Sequence, residues 1–137
     1  MAGRWLLDTS ALLALRDDEA GAERVAELLQ RSRARQGSCL VCFMSRMELL
    51  YRVWKDEGER TARLADAQLR SLPLDWVAAS DALLERAAAI KASHPLSVAD
   101  AWIAAAAEQE GAVLVHKDPE FRSLAHLPQE WLHGEGI

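Results

Sequence analysis

Trp5-Leu6-Leu7-Asp8-Thr9-Ser10 is a short apolar run stopped by a carboxylate and two hydroxyls. Consecutive apolar positions over so few residues suit a strand buried on both faces. The Asp-Thr-Ser that ends the run suits the entry to a helix near Ser10, with Asp8 as its cap. Three further runs have the same character: Cys39-Leu40-Val41-Cys42-Phe43, Leu74-Asp75-Trp76-Val77 and Ala112-Val113-Leu114-Val115. Trp131-Leu132 reads as a short edge strand.

Between these runs the apolar period changes to that of a helix. Ala22, Val25, Ala26 and Leu29 form one stripe; Met47, Leu50, Tyr51 and Trp54 a second; Ala62, Ala65, Leu69 and Leu72 a third. Leu83, Ala87 and Ile90 mark another helix, and residues 97–110 an Ala-rich one that stops before Gly111, a usual C-terminal stop. Strands alternating with helices imply an α/β fold with a parallel sheet and helices on its faces. With 137 residues, no repeat and no long linker, the reading is one domain over residues 1–137.

The chain carries 16 Lys+Arg against 21 Asp+Glu, a formal charge of −5. Such a balance argues against loose electrostatic adhesion to nucleic acid. The charge is unevenly placed: residues 31–70 hold 9 basic and 5 acidic residues, while residues 71–137 hold 4 basic and 10 acidic. That reads either as solvated helix faces or as a basic wall beside an acidic site. No apolar run approaches the roughly 20 residues of a membrane span, and no basic-then-apolar start reads as a signal peptide. The expected location is the cytoplasm.

Several chemistries lack their residues. There is no Gly-rich dinucleotide or P-loop fingerprint and no nucleophile elbow. His94, His116, His126 and His133 lack the spacing of a zinc protease and read as surface or packing residues. Cys39 and Cys42 form a C-x-x-C inside a strand-like run, where a reactive thiolate would be out of place; they read as buried structural thiols.

The informative carboxylates sit at element junctions. Asp8 ends the first strand, Glu48 opens the helix after the second, Asp100 opens the Ala-rich helix and Asp118 follows the last strong strand. Each has a local explanation. Asp8 can cap a helix; Ser45-Arg46-Met47-Glu48 fits a capping box, and Glu48 can pair with Arg52. Ser97-Val98-Ala99-Asp100 is another cap pattern, and Asp118-Pro119 fits N-cap and N1. In an open parallel sheet, however, ligands gather at the carboxyl ends of the strands. Four acids brought to one edge would need neutralising, and Mg²⁺ or Mn²⁺ takes oxygen ligands. Two such ions about 4 Å apart suit phosphodiester hydrolysis.

At these residues the sequence resembles the PIN-domain ribonucleases, and among them the VapC-like toxins of toxin–antitoxin pairs. Leu7-Asp8-Thr9-Ser10-Ala11-Leu12-Leu13 is similar to the family's opening strand and first metal-site Asp. Met47-Glu48-Leu49-Leu50 resembles its second acidic helix, and Ser97 to Ala106 its D-x-x-I-A-A segment. Val113 to Phe121 resembles its closing strand and D-x-[DE]-F turn. The resemblance covers roughly residues 4–132. It implies a three-layer α/β/α fold with a central parallel sheet of four to five strands, and RNA hydrolysis dependent on one or two Mg²⁺ or Mn²⁺ ions. It implies a site of Asp8, Glu48, Asp100 and Asp118, as catalytic residues and metal ligands, with Ser10 supporting the first Asp. Arg16, Arg46, Arg52 and Lys117 are the candidate RNA contacts. The implied partners are RNA, a cognate DNA-binding antitoxin and a second copy of the chain, with Trp54, Leu64 and Leu69 as candidate surface residues. Two alternatives stand beside the toxin: a housekeeping PIN nuclease and a receiver-like signalling domain. The second would need an acceptor Asp at the end of the third strand, where Ala78-Ala79 stands.

Overall fold

Each apolar run forms a strand, and all five strands are parallel. The computed structural model describes residues 3–132. In chain order its elements are β1 (Gly3–Leu7), α1 (Thr9–Arg16), α2 (Ala22–Arg33), β2 (Gly37–Cys42), α3 (Phe43–Glu57), α4 (Glu59–Arg70) and β3 (Asp75–Val77). There follow α5 (Asp81–Ser93), α6 (Val98–Gln109), β4 (Val113–His116), a 3₁₀ turn (Pro119–Ser123) and β5 (Gln129–Trp131). The sheet order is β3-β2-β1-β4-β5. β1 lies at its centre, pairing Leu6 with Leu40 of β2 and with Leu114 of β4.

Consecutive strand residues face opposite layers, so each apolar run supplies two cores. Leu6, Leu40, Cys42 and Leu114 pack under α5 and α6. Trp5, Leu7, Cys39, Val41 and Val115 pack under α1 to α4. This is the three-layer α/β/α architecture. It also places Cys39 and Cys42 in separate cores, both buried and free. Burial pushes both thiols up to about 11, consistent with inert packing groups.

The Ala-rich α6 is buried at Ala101, Ala104, Ala105, Ala106 and Ala107. Small side chains nearly all round let it lie close to the sheet, against β1, β2 and β4. It ends before Gly111, whose φ of +61° is the left-handed conformation favoured at such stops. Among the described residues, no helix is long and apolar enough to cross a membrane.

Four details differ from the sequence reading. β2 ends at Cys42 and α3 starts at Phe43 with no intervening loop. On α3 the buried side is Ser45, Leu49 and Val53, whereas Met47, Tyr51 and Trp54 are 55%, 49% and 40% exposed. The edge strand is Gln129–Trp131, displaced from Trp131-Leu132 because a parallel edge is held by its backbone ladder and needs no apolar run. Leu69 is a core residue, while Trp54 and Leu64 are exposed.

Candidate active site

Asp8 leaves β1 with its backbone N–H donated to Val115 O of β4 at 3.1 Å. Its Oδ1 accepts from Ala11 N at 3.0 Å, capping α1, and from the Ser10 hydroxyl at 2.6 Å. Ser10 Oγ in turn accepts the Lys117 N–H at 2.9 Å. Ser10 therefore ties the loop after β4 to the carboxylate after β1.

Glu48 lies in the second turn of α3, because that helix begins at Phe43. The Ser45–Glu48 capping box is accordingly not formed: Cys42 is the N-cap, without a side-chain bond. Glu48 Oε1 accepts from the Thr9 hydroxyl at 2.6 Å, and Thr9 Oγ1 also lies 3.1 Å from the buried Ser45 Oγ. Thr9 is an orienting residue that the sequence reading passed over, although it stands between Asp8 and Ser10.

Asp100 sits in the first turn of α6, where Ser97 Oγ accepts its N–H at 3.1 Å. Asp118 caps the 3₁₀ turn, its Oδ1 accepting from Glu120 N at 2.9 Å with Pro119 next in line. Glu120 reaches back to α6, where its Oε1 accepts the Ser97 N–H at 3.0 Å. The two turns are thus cross-capped. Oxygens of Asp100, Asp118 and Glu120 lie within 4.8 Å of one another. Glu120 is the acid missing from the sequence-derived set; its signal was its place in the Asp118-Pro119-Glu120-Phe121 turn.

Asp8, Glu48, Asp100, Asp118 and Glu120 share one cleft of about 180 Å³, with Arg52 and Tyr51 at its side. Among the described residues, five carboxylates against one guanidinium leave the cleft short of positive charge. Burial, together with Asp118 and Glu48 and against the Ser10 and Ala11 hydrogen bonds, pushes the Asp8 carboxyl up to about 7. Burial first, then Asp118 and Glu120, hold Asp100 well above the usual carboxylate range. Such groups either share protons or take up a cation. An all-oxygen donor set of this charge fits a hard divalent ion such as Mg²⁺ or Mn²⁺.

The four cations singled out in the sequence have separate settings. Arg52 is exposed at the cleft and has no ion-pair partner among the described residues. Arg16 pairs with Asp17 at 2.9 Å and with Glu57 at 2.8 Å. Lys117 turns its Nζ to Glu19 at 3.4 Å. Arg46 grips Asp66 of α4 through two bonds, at 2.9 and 3.2 Å. Asp66 is only 4% exposed and keeps Arg70 at 3.3 Å as a second partner. Arg46→Ala is therefore expected to cost about 1 kcal/mol of stability, discounted for solvent screening at the exposed Arg46. The salt slope of RNA binding is expected not to change, whereas loss of a phosphate contact lowers it by about one. Denaturant melts and filter binding across a salt series check both.

Among the described residues, no histidine lines the cleft. His116 is fully buried, and His126 is exposed and bonded to Glu108 at 2.8 Å. His133 lies outside the described residues.

Comparisons with known proteins find the same fold. VapBC2 from Rickettsia felis, solved with a DNA fragment from its promoter, superposes with a TM-score of 0.74 at 20% identity, covering 93% of this chain and 97% of that one. DNA-bound VapBC from Salmonella typhimurium gives 0.75 at 18% identity, covering 96% and 99%. VapC20 from Mycobacterium tuberculosis, described as a sarcin–ricin loop cleaving toxin, gives 0.68 at 20% identity, covering 88% and 95%. No curated protein sequence matches. The profile of the PIN domain matches residues 5–127, from the middle of β1 to just before β5, so it takes in every carboxylate of the cleft: the chain belongs to the PIN-domain family.

Proposed function

We propose that the chain is a Mg²⁺- or Mn²⁺-dependent ribonuclease and the toxin of a toxin–antitoxin pair. The observation that carries the nuclease reading is the convergence of five carboxylates, two of them held above the carboxylate range, in one cleft at the carboxyl ends of β1 and β4. Asp8, Glu48, Asp100 and Asp118, with Glu120 beside them, would hold one or two divalent ions. Those ions supply activation of water and stabilisation of the leaving oxygen of a phosphodiester. Ser10 orients Asp8 and Thr9 orients Glu48. Arg52 is placed to take an RNA phosphate.

The toxin reading is supported by the family and by structural likeness to VapC and VapBC proteins. It brings with it a DNA-binding antitoxin as partner, a homodimer as the assembly and the cytoplasm as the location. The receiver-like alternative is disfavoured by topology. Receiver-type domains have strand order 2-1-3-4-5, whereas β1 here is central in the order 3-2-1-4-5.

Purified protein is expected to cleave single-stranded RNA with Mg²⁺ or Mn²⁺ and to stop in EDTA. Cleavage that persists in EDTA, or none with either ion, overturns the nuclease reading. Growth arrest on expression, relieved by a co-expressed upstream-encoded DNA-binding protein, separates a toxin from a housekeeping nuclease. Arg52→Ala is expected to lower the salt slope of RNA binding by about one, as loss of one phosphate contact does. An unchanged slope removes Arg52 from the substrate path.

A further inference from the structure

His116 is the last residue of β4, fully buried and outside the carboxylate cleft. Its ring lies edge-on to Phe121 and Trp131, with centroids at 4.8 and 4.5 Å. Packing alone would be served by any aromatic ring, but both ring nitrogens are engaged. Nδ1 lies 3.0 Å from the backbone N of Asp118, and Nε2 lies 2.8 Å from Gln129 Oε1.

The direction of every hydrogen bond in this chain of contacts is determined. The Gln129 amide nitrogen donates to Phe121 O at 3.0 Å and to Leu124 O at 2.9 Å. Its oxygen therefore faces the imidazole and can only accept. Nε2 must carry the ring proton, and Nδ1 is left as the acceptor that the Asp118 N–H requires. The two carbonyls belong to the middle of the 3₁₀ turn and to its C-cap Leu124, and Asp118 is its N-cap. One buried relay thus holds both ends of the segment that carries Asp118 and Glu120.

We propose that His116, fixed by Gln129 as the Nε2–H tautomer, is a positioning residue that sets the Asp118 and Glu120 carboxylates for divalent-ion binding. The inference rests on the metal-site reading of the cleft. Partners one layer behind metal ligands commonly cost 10–100-fold in affinity when removed, by order of magnitude.

The test is Mn²⁺ titration of the full chain, parent against variants. His116→Phe keeps a ring and loses the acceptor; it is expected to weaken Mn²⁺ binding about 10-fold or more. His116→Asn places an amide oxygen near the Nδ1 position but loses the aromatic packing. It is expected to melt lower than the parent yet bind Mn²⁺ within about threefold of it, the opposite ordering to a purely structural role. Gln129→Met, which leaves the ring in place, is expected to weaken binding in the same direction as His116→Phe and serves if that variant does not fold. Long-range ¹H–¹⁵N spectra of the parent are expected to show a protonated Nε2, a bare Nδ1 and a coupling from Nδ1 to the Asp118 amide nitrogen. A protonated Nδ1 overturns the inference, and so does parent-like Mn²⁺ affinity in the folded His116→Phe or Gln129→Met protein. A parent that takes up no Mn²⁺ overturns the metal-site reading itself, which distinguishes the two failures.

Discussion

Asp8→Asn and Asp100→Asn proteins are expected to cleave RNA at least about 100-fold more slowly than the parent, while melting no lower than the parent in EDTA. The lower bound follows from the 10–100-fold, by order of magnitude, lost when groups behind metal ligands are removed; a ligand itself should cost more. The stability half of the prediction separates chemistry from folding. Asp8 Oδ1 accepts from Ala11 N and the Ser10 hydroxyl. The amide oxygen introduced by Asp8→Asn can accept the same two bonds, so the α1 cap survives. Asp100 is held to Ser97 through its backbone N–H, which the substitution leaves alone. Each variant removes a buried acid whose ionisation is opposed by burial, and so relieves strain in the metal-free protein. Cleavage assays with Mg²⁺ and melts in EDTA read the two halves. A folded Asp8→Asn protein with parent-like cleavage would sink the proposed site.

Proton linkage yields the second large effect. The Asp8 carboxyl is raised from 3.8 to about 7 in the folded protein, so the native state binds this proton more tightly than the unfolded chain. Its stabilising contribution is complete below the unfolded value and is lost as pH rises through the folded one. The metal-free protein is expected to lose up to about 4 kcal/mol from this group between about pH 4 and 7. Asp100, also raised, acts in the same direction. His116 opposes both: burial lowers its basicity, so its contribution is lost as pH falls. Subtracting the pH profile of Asp8→Asn from that of the parent isolates the carboxylate. Mn²⁺ reverses the trend because it competes with those protons, and its binding tightens as pH rises. At about 100 times its dissociation constant it should add about 2.7 kcal/mol, or about 10 °C in Tm for a domain of this size. Melts from pH 4.5 to 8, with EDTA or Mn²⁺, test this. A parent-minus-variant difference that does not vary with pH would show that Asp8 is not held protonated.

The strands and some of the acids of the candidate cleft were legible for one reason. A parallel strand covered on both faces must be continuously apolar, so Leu6-Leu7 or Leu114-Val115 stands out, and Asp8 and Asp118 stand just past two of those runs, whereas Glu48 and Asp100 sit on helices. α3 was misread because both its sides carry apolar residues. Met47, Tyr51 and Trp54 repeat at the same helical spacing as the buried Leu49 and Val53, and periodicity alone cannot choose between two stripes. The Ser45–Glu48 cap failed because α3 starts directly on β2, two residues before any hydroxyl marks it. The basic wall over residues 31–70 is partly internal bookkeeping: Arg31, Arg46, Arg63 and Arg70 are paired to Glu27, Asp66 and Glu59. Pairings across the fold, such as Thr9 with Glu48 and Glu120 with Ser97, depend on tertiary placement that local spacing does not encode.

The central position of β1 bears on when the protein can act. β1 is made before β4, yet its Leu7 partner on one side is Val115, and Asp8 is pinned to the same Val115. Pairings this distant in sequence are slow to close and cannot begin on a growing chain until the later strand has emerged. Asp118 and Glu120 follow that strand directly. A chain that stops before β4 therefore holds Asp8, Glu48 and Asp100 without Asp118 and Glu120, and on the proposed reading of the cleft it is expected to be inactive. On that reading, both edges of the acidic cleft come together only once β1 has paired with β4.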